Sequence, residues 1–282
     1  MCGLNIKRGA AVLMVMAVLP FLCGCSIEET GARGIPLVIE VIDPGGMVTP
    51  AAEAVAAAAP AQETGRPRVL IYHTHTWEAY EMTEDARYTP TETWRTKDNR
   101  YNMVRVGEAL AQSLTALGFD VTHDQTAFEP PNLSDSYTRS LEMLKKRLDA
   151  GETYDYIFDV HRDAYSGLYN GANCVKTEEG SAAYVMMLVG KGTGATGSGF
   201  DERPDWPKNL ELAQAITDEM NRCAEGISRE VKIKTGRFNQ HVSTGALLIE
   251  VGNNRNTLDE ALAACPVIAQ AIAGVHLKRA SD

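Results

Sequence analysis

Val69-Leu70-Ile71-Tyr72-His73-Thr74-His75-Thr76-Trp77-Glu78 is a short apolar run that ends in two histidines. Imidazole is the commonest protein ligand for a transition metal, and the carboxyl end of a strand is where an α/β sheet collects its chemistry. Two distant stretches are built the same way: Tyr156-Ile157-Phe158-Asp159-Val160-His161-Arg162-Asp163 and Ala246-Leu247-Leu248-Ile249-Glu250-Val251-Gly252-Asn253-Asn254. A buried apolar strand cannot carry a bare His or Glu without a large desolvation cost, so an ionisable group at each carboxyl end implies that the three meet above one sheet.

Strands and helices alternate beyond Arg68. Val106, Leu110, Leu114 and Leu117 recur at helical spacing and predict a helix from about Asn102 to Leu117, closed by Gly118. A strand is expected at Phe119 to Thr122. Ser134 is placed to cap a helix whose face carries Tyr137, Leu141, Leu144 and Leu148. Ala183 to Val189 predicts a further strand, Asn209 to Ala224 an amphipathic helix, and Thr257 the start of a last helix that Pro266 kinks or divides. The expected architecture is α/β: a mostly parallel sheet with helices on both faces, in one domain spanning 68–282.

The first residues carry Lys7 and Arg8 ahead of an apolar stretch from Ala10 to Gly24, the pattern of a secretory signal. Leu22-Cys23-Gly24-Cys25 resembles a bacterial lipobox, so 1–25 is either a cleaved signal with a lipid on Cys25 or an uncleaved signal anchor. Both imply an extracytoplasmic domain tethered to the membrane. Residues 26–67, Pro-containing and alanine-rich, are expected to be a flexible linker. The net charge of -10 argues against nucleic acid as a partner. Cys174, Cys223 and Cys265 lack zinc-ribbon spacing and suit core thiols, with room for one bridge.

A hydrolytic zinc site uses about three protein ligands. His75 and His161 are the natural pair, and His73 could join because residues two apart in an extended segment share a face. Asp98 is offered as the acidic ligand by the loop before the first helix, though composition does not choose it over Glu78, Glu81 or Glu84. Glu250 follows four apolar residues and precedes Gly252, a placement that raises a carboxyl pKa toward the range of a general base. The G-x-G-x-x-G match at Gly192 to Gly197 has no helix behind it, since prolines follow, and is set aside.

His73-Thr74-His75-Thr76-x-Glu78, Asp98-x-x-x-Asn102-x-Val104-x-Val106-Gly107, Asp159-x-His161-Arg162-Asp163 and Leu248-Ile249-Glu250-Val251-Gly252 occur in order and, with Trp206-x-x-Asn209 and Asn239-Gln240, resemble the stage II sporulation protein P family. That family is similar to the zinc-dependent N-acetylmuramoyl-L-alanine amidases. The resemblance implies an amidase-like fold, Zn2+ held by His75, Asp98 and His161 with His73 as alternate, Glu250 as the catalytic residue, and Arg162 and Asn239 toward substrate. Arg162 would orient a stem-peptide carboxylate or pin the His161 loop. The implied reaction is cleavage of peptidoglycan at the amide joining N-acetylmuramic acid to L-Ala, with cleavage within stem peptides as well. The implied partners are a sporulation lytic transglycosylase, stage II sporulation protein D, and its membrane anchor protein. The segment ahead of the domain is expected to be too short for an additional folded domain. Two rival classes remain at this level: an inactive peptidoglycan-binding scaffold of the same fold, and a zinc peptidase confined to stem peptides.

Overall fold

The structure is a computed structural model that describes residues 65–164, 173–177, 180–192 and 205–281. The expected signal, Cys25 and all but the last three linker residues lie outside the described residues, as does most of the glycine-rich stretch after Gly192.

Six strands form one sheet in the order β2-β1-β3-β8-β6-β7, where β1 is Arg68–Tyr72, β2 Asp120–His123, β3 Tyr156–Asp163, β6 Val185–Gly190, β7 Lys232–Lys234 and β8 Ala246–Asn253. Neighbours pair in parallel except β6 against β8, so the sheet is mostly parallel as its apolar runs implied. A separate hairpin, β4 (Cys174–Thr177) with β5 (Gly180–Ala183), was not expected; Ala183 ends it and does not begin β6. The helices are α1 (Met103–Ala116), α2 (Ser136–Asp149), α3 (Trp206–Cys223) and α4 (Leu258–Ser281).

Period-two alternation sorts the strands between two unequal cores. Val69, Ile71, Phe158, Val160, Met187, Ile249 and Val251 face a large cluster with α1, α3 and α4. Leu70, Tyr72, Ile157 and Ala246 face a small one completed by Leu144 of α2 and Phe128. The same parity assigns Asp159, His161, Leu248 and Glu250 to this second face, beyond the patch that α2 covers.

Several local expectations are corrected. α1 starts where predicted, with Asn102 capping it by accepting from the Val104 N–H at 3.0 Å, but Leu117 is the exposed cap residue rather than core. Ser134 bonds the side chains of Asn132 and Asp135 and caps nothing. Pro266 lies inside one continuous α4, whose Ala264, Ile268, Ile272 and Val275 are buried; that packing outweighs the single lost backbone hydrogen bond. The three described cysteines are free, so no bridge forms among them.

Candidate active site

His161 of β3 and Glu250 of β8 are register partners on adjacent parallel strands, so both side chains rise from the same face. Asp159, two residues before His161, shares that face, and its Oδ1 lies 2.8 Å from His161 Nε2, although off the line of a good hydrogen bond. Asp159 is itself held by the Thr74 N–H at 2.8 Å and the Thr74 hydroxyl at 2.7 Å. The other imidazole nitrogen, Nδ1, lies 3.4 Å from Glu78 Oε2.

β1 ends at Tyr72, and the turn that follows carries the chain around so that the Glu78 N–H donates to the His75 carbonyl at 3.3 Å. This turn brings His75 edge-on to His161 with ring centroids 5.4 Å apart, and swings Glu78 to the far edge of the same imidazole. His75, Glu78, His161 and Glu250 therefore converge, three elements supplying four groups.

The electrostatics are opposed across the cluster. Burial alone would push the His161 imidazole down, but the carboxylates of Asp159 and Glu78 outweigh it and hold it well above the ordinary histidine value. Burial would raise Glu78, yet His161, with Arg162 behind it, brings its carboxyl down to about 2. His75 is lowered to about 4, by burial first and then by the charge of His161. Glu250, desolvated and near Glu78 and Asp163, is pushed up to about 8.

The remaining predicted residues are placed elsewhere. His73 follows the alternation of β1 onto the opposite face, where its Nδ1 pairs with the Val160 carbonyl at 2.8 Å and its Nε2 with His123 Nε2 at 2.9 Å. The expectation that it shares a face with His75 fails because β1 ends at Tyr72 and the chain turns from Thr74 onward. Asp98 spends both carboxylate oxygens on Arg100, and the charged groups that bear most on His75 are His161, Glu78, Asp159 and Arg95. The structure thus brings Glu78, not Asp98, to the histidine pair. Arg162 is buried and donates to the carbonyls of Ala79 at 3.0 Å and Trp94 at 3.2 Å, with Glu78 Oε1 at 3.9 Å, so it pins the loop that carries Glu78. Asn239, in a left-handed conformation with φ 52°, donates to the Tyr137 carbonyl at 2.8 Å and to Ser140 Oγ at 3.0 Å. From Ser140 a buried chain runs through Thr74 Oγ1, 2.9 Å away, to Asp159 and so to His161. Asn239 is the far end of this brace.

Asp159, Thr74 and Glu129 take parts in the site that were not anticipated from the sequence. The Glu129 carboxylate, buried between Arg95 and the Trp77 N–H, lies 3.8 Å from His75 Nδ1. The His75-x-x-Glu78 spacing was the available signal for Glu78, since residues three apart close a turn.

His75 Nδ1 and Glu250 Oε2 are buried and lack hydrogen-bond partners, and the His, Glu and His donors are of the type that suits zinc. Among the described residues, no three or more His, Cys, Asp or Glu side chains stand ready to hold an ion. The donor types fit a metal; their disposition would have to tighten around it.

Among solved structures, the chain is similar to the N-acetylmuramoyl-L-alanine amidase AmiC2 of Nostoc punctiforme, with 14% identity, a TM-score of 0.44, and coverage of 77% of this chain and 99% of that one. It is similar also to the CwlD amidase of Clostridioides difficile, solved in complex with the GerS lipoprotein, with 14% identity, a TM-score of 0.47, and coverage of 77% and 100%. Among curated proteins it is 28% identical over 214 residues to "Stage II sporulation protein P" of Bacillus subtilis (strain 168), covering 71% of this chain and 49% of the relative. The chain thus spans about half the length of the curated relative it matches. The family model described as stage II sporulation protein P matches residues 42–273, and this chain belongs to that family.

Proposed function

We propose that the chain is a peptidoglycan hydrolase of sporulation that cleaves the amide between N-acetylmuramic acid and the L-Ala of the stem peptide, with Zn2+ held by His75, Glu78 and His161. The observation that carries this reading is the convergence of those three donors with Glu250 on the thinly covered face of the sheet. Family membership supports it. Cooperation with a sporulation lytic transglycosylase and its membrane anchor protein, and an extracytoplasmic position on a membrane tether, are further parts of the same reading.

A bound divalent ion would supply Lewis acidity, easing the deprotonation of water and polarising the amide carbonyl. Glu250 does the proton work. Its carboxyl, raised to about 8 by burial, lies near the range of a proton carrier: in its ionised form it takes a proton from the attacking water, and it returns that proton to the departing amine. Asp159, fixed by Thr74, sets its carboxylate against His161 Nε2 and leaves Nδ1 toward Glu78. Arg162 keeps Glu78 from drifting by holding the carbonyls on either side of its loop.

The test is to incubate the purified chain with intact sacculi, with and without a chelator, and identify the soluble products by mass. Release of stem peptides with a free L-Ala amine, lost on chelation and restored by zinc, is the expected result. Release only of peptide fragments, with lactyl groups still substituted, would replace the amidase assignment by a peptidase. No metal-dependent product would refute the hydrolase assignment.

A further inference from the structure

We propose that Tyr137 is the hydrogen-bond donor that stabilises the oxyanion formed when the amide carbonyl is attacked. This rests on the hydrolase reading above and adds a catalytic residue to it. Such a reaction needs a donor where negative charge develops on the carbonyl oxygen. The side chains expected at the substrate cannot serve: Arg162 is committed to the Ala79 and Trp94 carbonyls, and Asn239 to Tyr137 and Ser140.

Tyr137 stands in the first turn of α2, the helix that covers the face bearing the site. Its ring meets His75 edge-on at 5.5 Å, and Phe238 supports it from another side at 5.7 Å. Its own carbonyl is anchored by Asn239, and the helix start is anchored by Arg139, which donates to the Phe128 carbonyl at 2.6 Å and the Glu129 carbonyl at 3.0 Å. The ring is thus fixed beside the proposed ligands. The charges of Asp159, Glu250 and Glu78 all bear on the phenol, which sets it among the groups of the site, and an ordinary phenol is protonated at neutral pH and able to donate.

The step balances without Tyr137 giving up its proton. Water oxygen bonds to the carbonyl carbon, the carbonyl electron pair moves onto oxygen and is met by the Tyr137 O–H, and Glu250 takes the water proton. Collapse re-forms the carbonyl, breaks the C–N bond and returns the proton from Glu250 to the amine.

Tyr137→Phe keeps the ring and removes only the hydroxyl. In the full zinc-loaded chain, acting on a soluble muramoyl peptide, the variant should lose about 10²-fold in kcat with KM and zinc content unchanged. Its affinity for a phosphinate analogue of the tetrahedral intermediate, read by calorimetry, should fall by a similar factor while product affinity does not. Activity and phosphinate affinity within about twofold of the parent, or a loss of zinc from the variant, would overturn the assignment of Tyr137. If the parent chain neither hydrolyses the peptide nor binds the phosphinate, the hydrolase reading itself falls, and this proposal with it.

Discussion

Glu78 and Glu250 flank one imidazole and are driven in opposite directions, the first down to about 2 and the second up to about 8. A pair of like groups pushed apart by their surroundings is how one site holds a fixed anion beside a proton carrier. Glu78 is paired with His161 and backed by Arg162, whereas Glu250 Oε2 is buried without a partner. Asn239 shows the same distinction between holding and reacting. Its amide ends a buried brace, and its left-handed backbone suits Asn far better than Ala. Asn239→Ala should therefore cost about 1–3 kcal/mol in chemical denaturation while leaving KM unchanged. A raised KM with unaltered stability would return Asn239 to the substrate. His75, His161 and Glu250 were legible as strand-end residues because a charged or titratable group closing an apolar run is costly to bury unless it meets partners there. Glu78 was not separable from Asp98, Glu81 or Glu84, because the choice is made by the turn after Tyr72 and by loop pairing such as Glu78 with Arg95.

At the level of elements, β1, β2 and α1 meet around the pair His73 and His123. Gly107 of α1 lies directly against it: a Cβ there would come within 2.4 Å of His73 Nε2 and 2.5 Å of His123 Nε2. This accounts for the Val106-Gly107 step in the motif as a packing requirement. Burial, with repulsion from His123, lowers His73 to about 3. Between that value and the ordinary histidine value near 6.5, the unfolded chain binds the proton and the folded chain does not. Stability from this group is complete above about pH 6.5 and is lost as pH falls toward 3; by pH 5 the loss is about 2 kcal/mol. His161, raised instead of lowered, contributes in the opposite sense, so the measurement is a difference: denaturation midpoints from pH 7.5 to 5 should fall more steeply in the parent chain than in His73→Leu. Equal slopes would contradict the buried neutral pair. The main strands and helices were readable from their periodicity, but β4, β5 and β7 are only three or four residues long and leave too little pattern. α4 misled for a different reason, since Pro266 signals a break only where packing does not override it.

Across the described residues as a whole, the unequal covering of the sheet sets the position of the site. α1, α3 and α4 bury one face, while α2 closes the amino-terminal part of the other and leaves the carboxyl ends of β1, β3 and β8 to carry chemistry. This follows the general placement of sites in open α/β sheets. The two-faced covering was legible in the alternation of strands and helices, but its asymmetry was not, because the apolar runs of β3 and β8 look alike on both faces until Asp159, His161 and Glu250 are assigned a parity. Closure of the metal site by Glu78 is the central claim, and zinc content after dialysis of the full chain, alongside Glu78→Gln and Asp98→Asn, measures it most directly. The expected result is about one zinc per chain for the parent and Asp98→Asn, and at least a tenfold weaker affinity for Glu78→Gln. Zinc lost from Asp98→Asn and kept by Glu78→Gln would contradict it.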